Sequence, residues 1–499
     1  MPDSLPDGLA AQTAAQTAAQ TAAQTAAQTA AQTAAQTLGR FAAGLSFEDI
    51  PSPVLARAKL LILDALGCGL ASNAYDFAGA ALAGTVALAG TVALGGEGPC
   101  SVIGRRTRLP LRDAAMMNGL LIHGLDFDDT HLASIVHPTA ACLPVALTMG
   151  EALGVDGRTM LVAYAAGMET AIRVGAAARG GFHHTGFHAT GIVAHFSASV
   201  VAGRLLGLPA TAIAAAQGIA ASTAAGVQVF LEDGAWTKRL HPGWAAVAGI
   251  TAARLAQHGF KAPARPYEGR FGLFETHLQH PAAPIDMAAE LITLGTVWKL
   301  AETAIKPYPV CHFIHGCADA AIELHAELAG ADLLSAEALL PRDTMPIVAE
   351  PHAAKIRPAN DYEGKFSAQF VVATCLLRGR FGLADLVPAA LTDPAVLDLA
   401  ARVTCAADPD SAFPASFSGG VRLRLRDGRT LFRHVRVNSG AGERALNEAA
   451  VSLKFMASAG LVVPRDQAER IRDAVLTLET QTASHLAALL RSPFLETSS

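Results

Sequence analysis

Apolar residues recur at three- and four-residue spacing through most of the chain. Val54, Leu55, Ala58, Leu61, Ile62, Ala65 and Leu66 follow Ser52-Pro53, a cap and first-turn signal. Similar patterns start at Asp113, leading into Met116 to Leu121, and at Thr159, leading through Leu161, Val162 and Ala165. Helix is expected to follow helix as far as about Ala301, with almost no strand signal. Lys306-Pro307-Tyr308-Pro309-Val310 cannot continue a helix. Beyond it, helical stretches alternate with short β-like pieces such as Thr344 to Ala349. Strict alternation in Val421 to Arg426 and in Arg429 to Val437 flanks Asp427-Gly428 and predicts a hairpin. From Ala445 to about Leu490 the period is helical again. The expected fold is therefore mainly α: a large all-helical domain (38–301, returning at 440–499) with an inserted smaller α/β lid domain (302–439). The cleft between them is the default site.

The N-terminus repeats Ala-Ala-Gln-Thr seven times, from Ala10 to Thr37. A four-residue period drifts against the 3.6-residue turn and offers no lasting apolar face, so 1–37 is expected to be a disordered tail. A second duplication, Ala-Leu-Ala-Gly-Thr-Val at Ala81 and again at Ala87, reads as a local lengthening. Hydrophobic residues make up 51% of the chain and charged residues 16%, which suits closely packed helices. The formal charge of −5 and the absence of a long basic run argue against nucleic acid or an anionic membrane as partner. The uncharged stretch Leu205 to Leu231 is long enough to span a bilayer, but Gly207 to Pro209 breaks it and it lacks an aromatic belt, so a buried helix pair is expected. Seven scattered cysteines form no Cys-x-x-Cys pair, and no arginine precedes Arg40, so a reducing cytoplasm is the expected location.

Four stretches carry the polar chemistry. The first, His123 to Pro138, holds Asp126, Asp128, Asp129, His123, His131 and His137 between two apolar segments, with Asp126, Thr130 and His137 its expected contributors. Buried carboxylates and imidazoles in so apolar a chain point to a lined cavity. The second is the glycine-bounded loop Gly180 to His188, with His183, His184 and His188. The third runs Asp233 to Pro242 with Lys238, Arg239 and His241, and the fourth is Lys306-Pro-Tyr308-Pro-Val-Cys311-His312. If they meet, two lysines and several histidines would bind a small polycarboxylate. They would also stabilise charge developing beside a carboxylate, while a histidine moves the proton. The implied reaction is a lyase or epimerase step requiring no cofactor. A metal-dependent hydrolase built on Asp126, Asp128, Asp129, His131 and His137 is the alternative from another class, although the window lacks a ligand spacing such as His-Glu-x-x-His.

His123-Gly-Leu-Asp-Phe-Asp-Asp-Thr-His131 with His137-Pro138, the Gly-Phe-His188 loop, Lys238-x-x-His241 and Lys306-Pro-Tyr-Pro together resemble the MmgE/PrpD family over about residues 40 to 480. The resemblance implies a homodimer of two-domain subunits with a cofactor-free, metal-free site between the domains. It implies a lyase acting on a di- or tricarboxylate, foremost a 2-methylcitrate dehydratase-like dehydratase, with decarboxylases and epimerases of the family as alternatives. Carried over by motif, Asp126, Thr130, His137, His188, Lys238 and Lys306 are the expected catalytic residues. His241, Tyr308, Cys311 and His312 are the expected substrate contacts. Lys238 and Lys306 fall to the substrate carboxylates and the developing charge, His137 and His188 to acid and base, and Asp126 to orienting or relaying. Cys311 departs from the pattern, standing five residues after Lys306 where the family's cis-aconitate decarboxylase carries a histidine.

Overall fold

The computed structural model describes residues 32–88, 98–279, 285–328, 330–411 and 413–491. At its centre lies the helix Ala189–Leu205, in which every residue but Arg204 is buried. It packs on Gly157–Ala177, Pro138–Leu153, Ala210–Ala220 and Thr237–Gln257. Small residues set these distances: a Cβ on Gly249 would lie 2.4 Å from the Ala198 Cβ. An apolar sequence with few charges folds this way because a helix hydrophobic all round is stable only with neighbours on every side.

The expected helices form with small shifts at their starts. Pro51 caps Ser52–Ser72, so Ser52 is its first residue and not its cap. The helix expected from Thr159 begins at Gly157, where the Asp156 side chain accepts from the Thr159 N–H. The uncharged stretch breaks as expected, one helix ending at Leu205 and the next starting at Ala210. Among the described residues, no helix is long and apolar enough to cross a membrane. One strand pair, Cys100–Ser101 with Arg108–Leu109, interrupts the body that was expected to be wholly helical.

The end of the repeat is not a tail. Thr33 and Gln36 form a capping box for the helix Ala34–Gly44, because one Thr-Ala-Ala-Gln step supplies both capping side chains at the right spacing. Ala34, Ala35 and Leu38 are buried, and Gln217 Nε2 donates to the Ala35 carbonyl at 3.0 Å. The boundary expected at 37 therefore moves to Thr33. Residues 1–31, and the second copy of the Ala87 duplication beyond Leu88, lie outside the described residues.

The smaller domain is built on a four-stranded sheet in the order Val403–Ala407, Leu333–Leu340, Gly419–Leu425, Thr430–Val435, with the first pair parallel and the others antiparallel. Helices His315–Leu328 and Ala368–Arg378 pack together against it. Val421, Leu423 and Leu425 point into this core, while Arg422 pairs with Glu337 on the adjacent strand. The expected hairpin is present with a longer turn. Leu425 N–H donates to the Arg429 carbonyl, leaving Arg426, Asp427 and Gly428 in the loop, and Gly428 takes φ 89°. The piece expected to be β-like at Thr344 to Ala349 is helical instead, a turn over Arg342–Thr344 running into Met345–Val348. Pro346 near that helix's start fits a first turn and could not serve an interior strand.

Helices Leu111–His123 and Thr237–Gln257 cross where Gly119 meets Gly243. A Cβ on Gly243 would lie 2.2 Å from the Met116 carbonyl oxygen, and one on Gly119 2.7 Å from Gly243 Cα. Neither backbone can give way cheaply, so Gly243→Ala is expected to cost about 1–3 kcal/mol. Chemical denaturation measures this, and unchanged stability would show that the crossing is loose.

Candidate active site

Three helices begin at one cavity. His137 caps Pro138–Leu153, His188 caps Ala189–Leu205, and Lys238 lies in the first turn of Thr237–Gln257. The positive ends of three helix dipoles therefore converge there, which favours an anion.

The fourth contribution arrives from the start of the smaller domain. Thr130 and Ala304 exchange backbone hydrogen bonds of 2.9 and 2.8 Å, and Ile305 N–H donates to the Gly440 carbonyl at 3.1 Å. Gly440 holds φ 90°, and a Cβ there would sit 2.0 Å from the Ile305 oxygen, so this close approach requires glycine. The result places Lys306, fully buried, against Asp126.

Asp126 organises the charges. Its backbone is left-handed, φ 53°, which turns the carboxylate toward both lysines: Oδ1 lies 2.7 Å from Lys306 Nζ and Oδ2 3.0 Å from Lys238 Nζ. Lys306 Nζ also donates to the Asp126 carbonyl at 2.8 Å. Burial acts to raise the Asp126 carboxyl, but Lys238, Lys306 and the neighbouring histidines overcome it and hold the group well below the usual carboxylate range. Burial likewise acts to lower Lys306, and Asp126 with Asp128 outweighs it, so Lys306 stays charged. Two ammoniums share one carboxylate, leaving net positive charge for a ligand. Asp126→Asn keeps a side chain that tolerates this backbone but leaves both cations without a counter-charge. It is expected to lose about 3–5 kcal/mol in guanidinium unfolding. Partial recovery with an added tricarboxylate is also expected, and no destabilisation would contradict the pairing.

His137 Nδ1 lies 2.7 Å from the Asp129 carbonyl, which can only accept. The proton therefore sits on Nδ1, and Nε2 carries the lone pair. The Thr130 hydroxyl lies 3.3 Å from the same Nδ1. Burial, reinforced by Lys306, Lys238 and His123, holds His137 well below the ordinary imidazole value despite the opposing pull of Asp128. His188 Nδ1 meets His241 Nδ1 at 3.0 Å. Burial and then His241 and Lys238 push His188 down, and burial with His123 and Lys238 takes His241 to about 4.

The sequence singled out ten positions, and eight of them line this cavity: Asp126, Thr130, His137, His188, Lys238, Lys306, Cys311 and His312. His241 stands behind the wall as the partner of His188. Tyr308 is also set back: its hydroxyl donates to Asp319 at 2.7 Å, anchoring the lysine segment to His315–Leu328. Cys311 is buried and pushed up to about 11 by burial, so it presents a neutral thiol. His312 Nε2 accepts from Asn438 at 2.8 Å. Of the other window residues, Asp129 is bound by Thr139, and His131 is bonded to Ser134.

Sequence reasoning gave no role to the dyad behind the site. His123 Nδ1 lies 2.8 Å from Asp128 Oδ2, both side chains fully buried, and despite burial His123 and His137 take Asp128 to about 2. The signal was a histidine five residues before an aspartate, spanning a helix end. His183, Gln228 and Phe230 also line the cavity, and Ile347, Phe366 and Phe417 join them from the smaller domain.

Fold and site define a mainly helical, two-domain enzyme with a cationic, histidine-lined cavity where the domains meet. Family models agree: that of the MmgE/PrpD N-terminal domain matches residues 36–285 and that of the MmgE/PrpD C-terminal domain matches residues 308–480. The chain belongs to the MmgE/PrpD family. It is 28% identical over 461 residues to the cis-aconitate decarboxylase-like protein oryM of Aspergillus oryzae, covering 89% of this chain and 94% of that one. It is 28% identical over 475 residues to the cis-aconitate decarboxylase of Aspergillus terreus, covering 91% and 95%. The cis-aconitate decarboxylase of Homo sapiens is 27% identical over 467 residues, covering 90% and 93%.

Proposed function

We propose that this protein is a cofactor-independent carboxy-lyase that removes CO₂ from cis-aconitate or a closely similar unsaturated tricarboxylate. The observation that carries the reading is the pair of buried lysines sharing Asp126 beside His137, in a chain whose near full-length relatives bear the name of that activity. The preference moves from dehydration to decarboxylation on the strength of those relatives.

The chemistry suits the arrangement. In cis-aconitate the departing carboxylate sits on a methylene next to the double bond. As its C–C bond breaks, the electron pair forms a new terminal double bond. The pair of the old double bond moves to the carbon α to another carboxylate, where a proton is added. Trianion plus proton gives CO₂ plus the methylenesuccinate dianion. The transient charge is an enediolate, and fixed ammonium groups stabilise it. Lys238 and Lys306 take that role, Asp126 spaces them, and His137 Nε2 takes up a proton from solvent and passes it to that carbon. His188, braced by His241, completes the wall.

A second reading, dehydration of a 2-methylcitrate-like hydroxy acid, is favoured by Cys311. A neutral thiol offers no acid or base where the family's cis-aconitate decarboxylase carries a histidine. Proton NMR of parallel reactions with cis-aconitate and 2-methylcitrate separates the two. Methylenesuccinate with release of CO₂ is expected, whereas turnover of 2-methylcitrate alone, with loss of water, would overturn the decarboxylase reading. The proposal extends to a homodimer, supported by Val227, Val229, Trp236 and Trp244, each about half exposed around the start of Thr237–Gln257. Light scattering at twice the chain mass is the expected result.

A further inference from the structure

Three imidazoles around the cavity each commit one ring nitrogen to the protein. His123 Nδ1 is bound by Asp128 at 2.8 Å, His137 Nδ1 by the Asp129 carbonyl at 2.7 Å, and His188 Nδ1 by His241 at 3.0 Å. The Nε2 atoms of His123 and His188 have no hydrogen-bond partner, although these residues are only 1% and 3% exposed. A buried polar atom left unpaired costs about 1–3 kcal/mol, and two of them lie side by side here. Ring centroids are 4.8 Å apart for His123 and His137, 5.5 Å for His123 and His188, and 6.1 Å for His137 and His188. Each residue offers a ring nitrogen within 4.8 Å of those of the other two.

We propose that His123, His137 and His188 form a binding site for a borderline divalent cation, best met by Zn²⁺, and that the metal-loaded form is catalytically silent. Tetrahedral zinc with Zn–N bonds of about 2.0–2.1 Å places its nitrogens roughly 3.3 Å apart, so the rings need to close by an ångström or so. A water or a ligand carboxylate fills the fourth position. The surroundings are those a histidine ligand uses: a carboxylate holds His123 and a backbone carbonyl holds His137, each fixing the tautomer that frees Nε2. Asp128, 2.8 Å from His123 Nδ1, places a carboxylate behind the ligands and offsets part of the lysine charge that the dication meets. The second half of the proposal rests on the decarboxylase reading. Coordination occupies the Nε2 lone pair of His137, the atom that would carry a proton to the substrate, so loading and turnover exclude each other.

The test is a titration of the metal-free protein with Co²⁺ alone, in a buffer free of carboxylates and chelators. The expected result is one Co²⁺ per chain with the intense visible bands of four-coordinate cobalt, lost on adding Zn²⁺. His188→Gln is expected to weaken binding at least tenfold, and Asp128→Asn, which removes the carboxylate that holds His123, by about 10–100-fold. Circular dichroism checks that the variants fold. X-ray absorption of the zinc-loaded wild type needs no variant and is expected to count three imidazoles. No cobalt bands, the pale spectrum of six-coordinate cobalt, or affinity unchanged in His188→Gln would overturn the site. Zinc is further expected to stop turnover reversibly, with chelation restoring it, and activity that requires the metal would overturn the silent state. Because the cobalt titration contains no substrate, it fails or succeeds independently of the decarboxylase reading.

Discussion

Lys306→Met is expected to lower kcat/KM for cis-aconitate by about 1,000-fold or more, at the upper end of what losing one preorganised donor to a developing anion costs. Lys306 is the most deeply buried charge at the cavity, held 2.7 Å from Asp126 and tied to the Asp126 carbonyl. Methionine matches its length and keeps the packing. The variant therefore separates charge from shape. With one ammonium gone, Asp126 and Lys238 neutralise each other and the cavity loses its net positive charge. Both substrate affinity and transition-state stabilisation should fall, so KM rises while kcat drops. A variant retaining wild-type kcat would show that the charge serves only binding.

His137→Gln is expected to lower kcat by about 100–10,000-fold, the usual range for removing a general acid or base. KM is expected to change little, because glutamine can still accept and donate in the wall of the cavity. The Asp129 carbonyl fixes the His137 ring, so no other side chain takes over the same trajectory. His188→Gln serves as the comparison. If His188 only completes the wall, its loss in kcat is smaller. Equal losses in both would require a shared proton path between them.

The fold was legible where local rules decide. Helical periods, the break at Gly207 to Pro209 and the alternation around Asp427-Gly428 each reflect which face of a segment is buried, and that is written in the residues themselves. Thr344 to Ala349 failed because a few apolar residues carry no usable period, and Pro346 decided the matter. The repeat misled for a different reason. Its composition reads as disorder, but its last copy docks on Gln217 and Leu38 supplies the apolar anchor.

At the site, the charged residues were found because each stands out in an apolar chain. Their pairing was not visible. That Asp126 bridges two lysines depends on a left-handed backbone at an aspartate, and that Asp128 belongs to His123 depends on how the helix ends at His123. Tyr308 shares a motif with Lys306, but the chain bends from Pro307 to Val310, and the Tyr308 hydroxyl goes to Asp319. Phe366, Phe417 and Ile347 carry no local mark, since only the folding of the smaller domain brings them to the cavity.

The central claim is that this cavity breaks a carbon–carbon bond and returns a proton to carbon. Turnover of cis-aconitate in D₂O, followed by NMR, tests it most directly. The account predicts CO₂ release and methylenesuccinate carrying one deuteron in its saturated methylene group and none in its new vinylic methylene. A six-carbon product formed by adding or removing water, or methylenesuccinate with no deuteron at the saturated carbon, would contradict it.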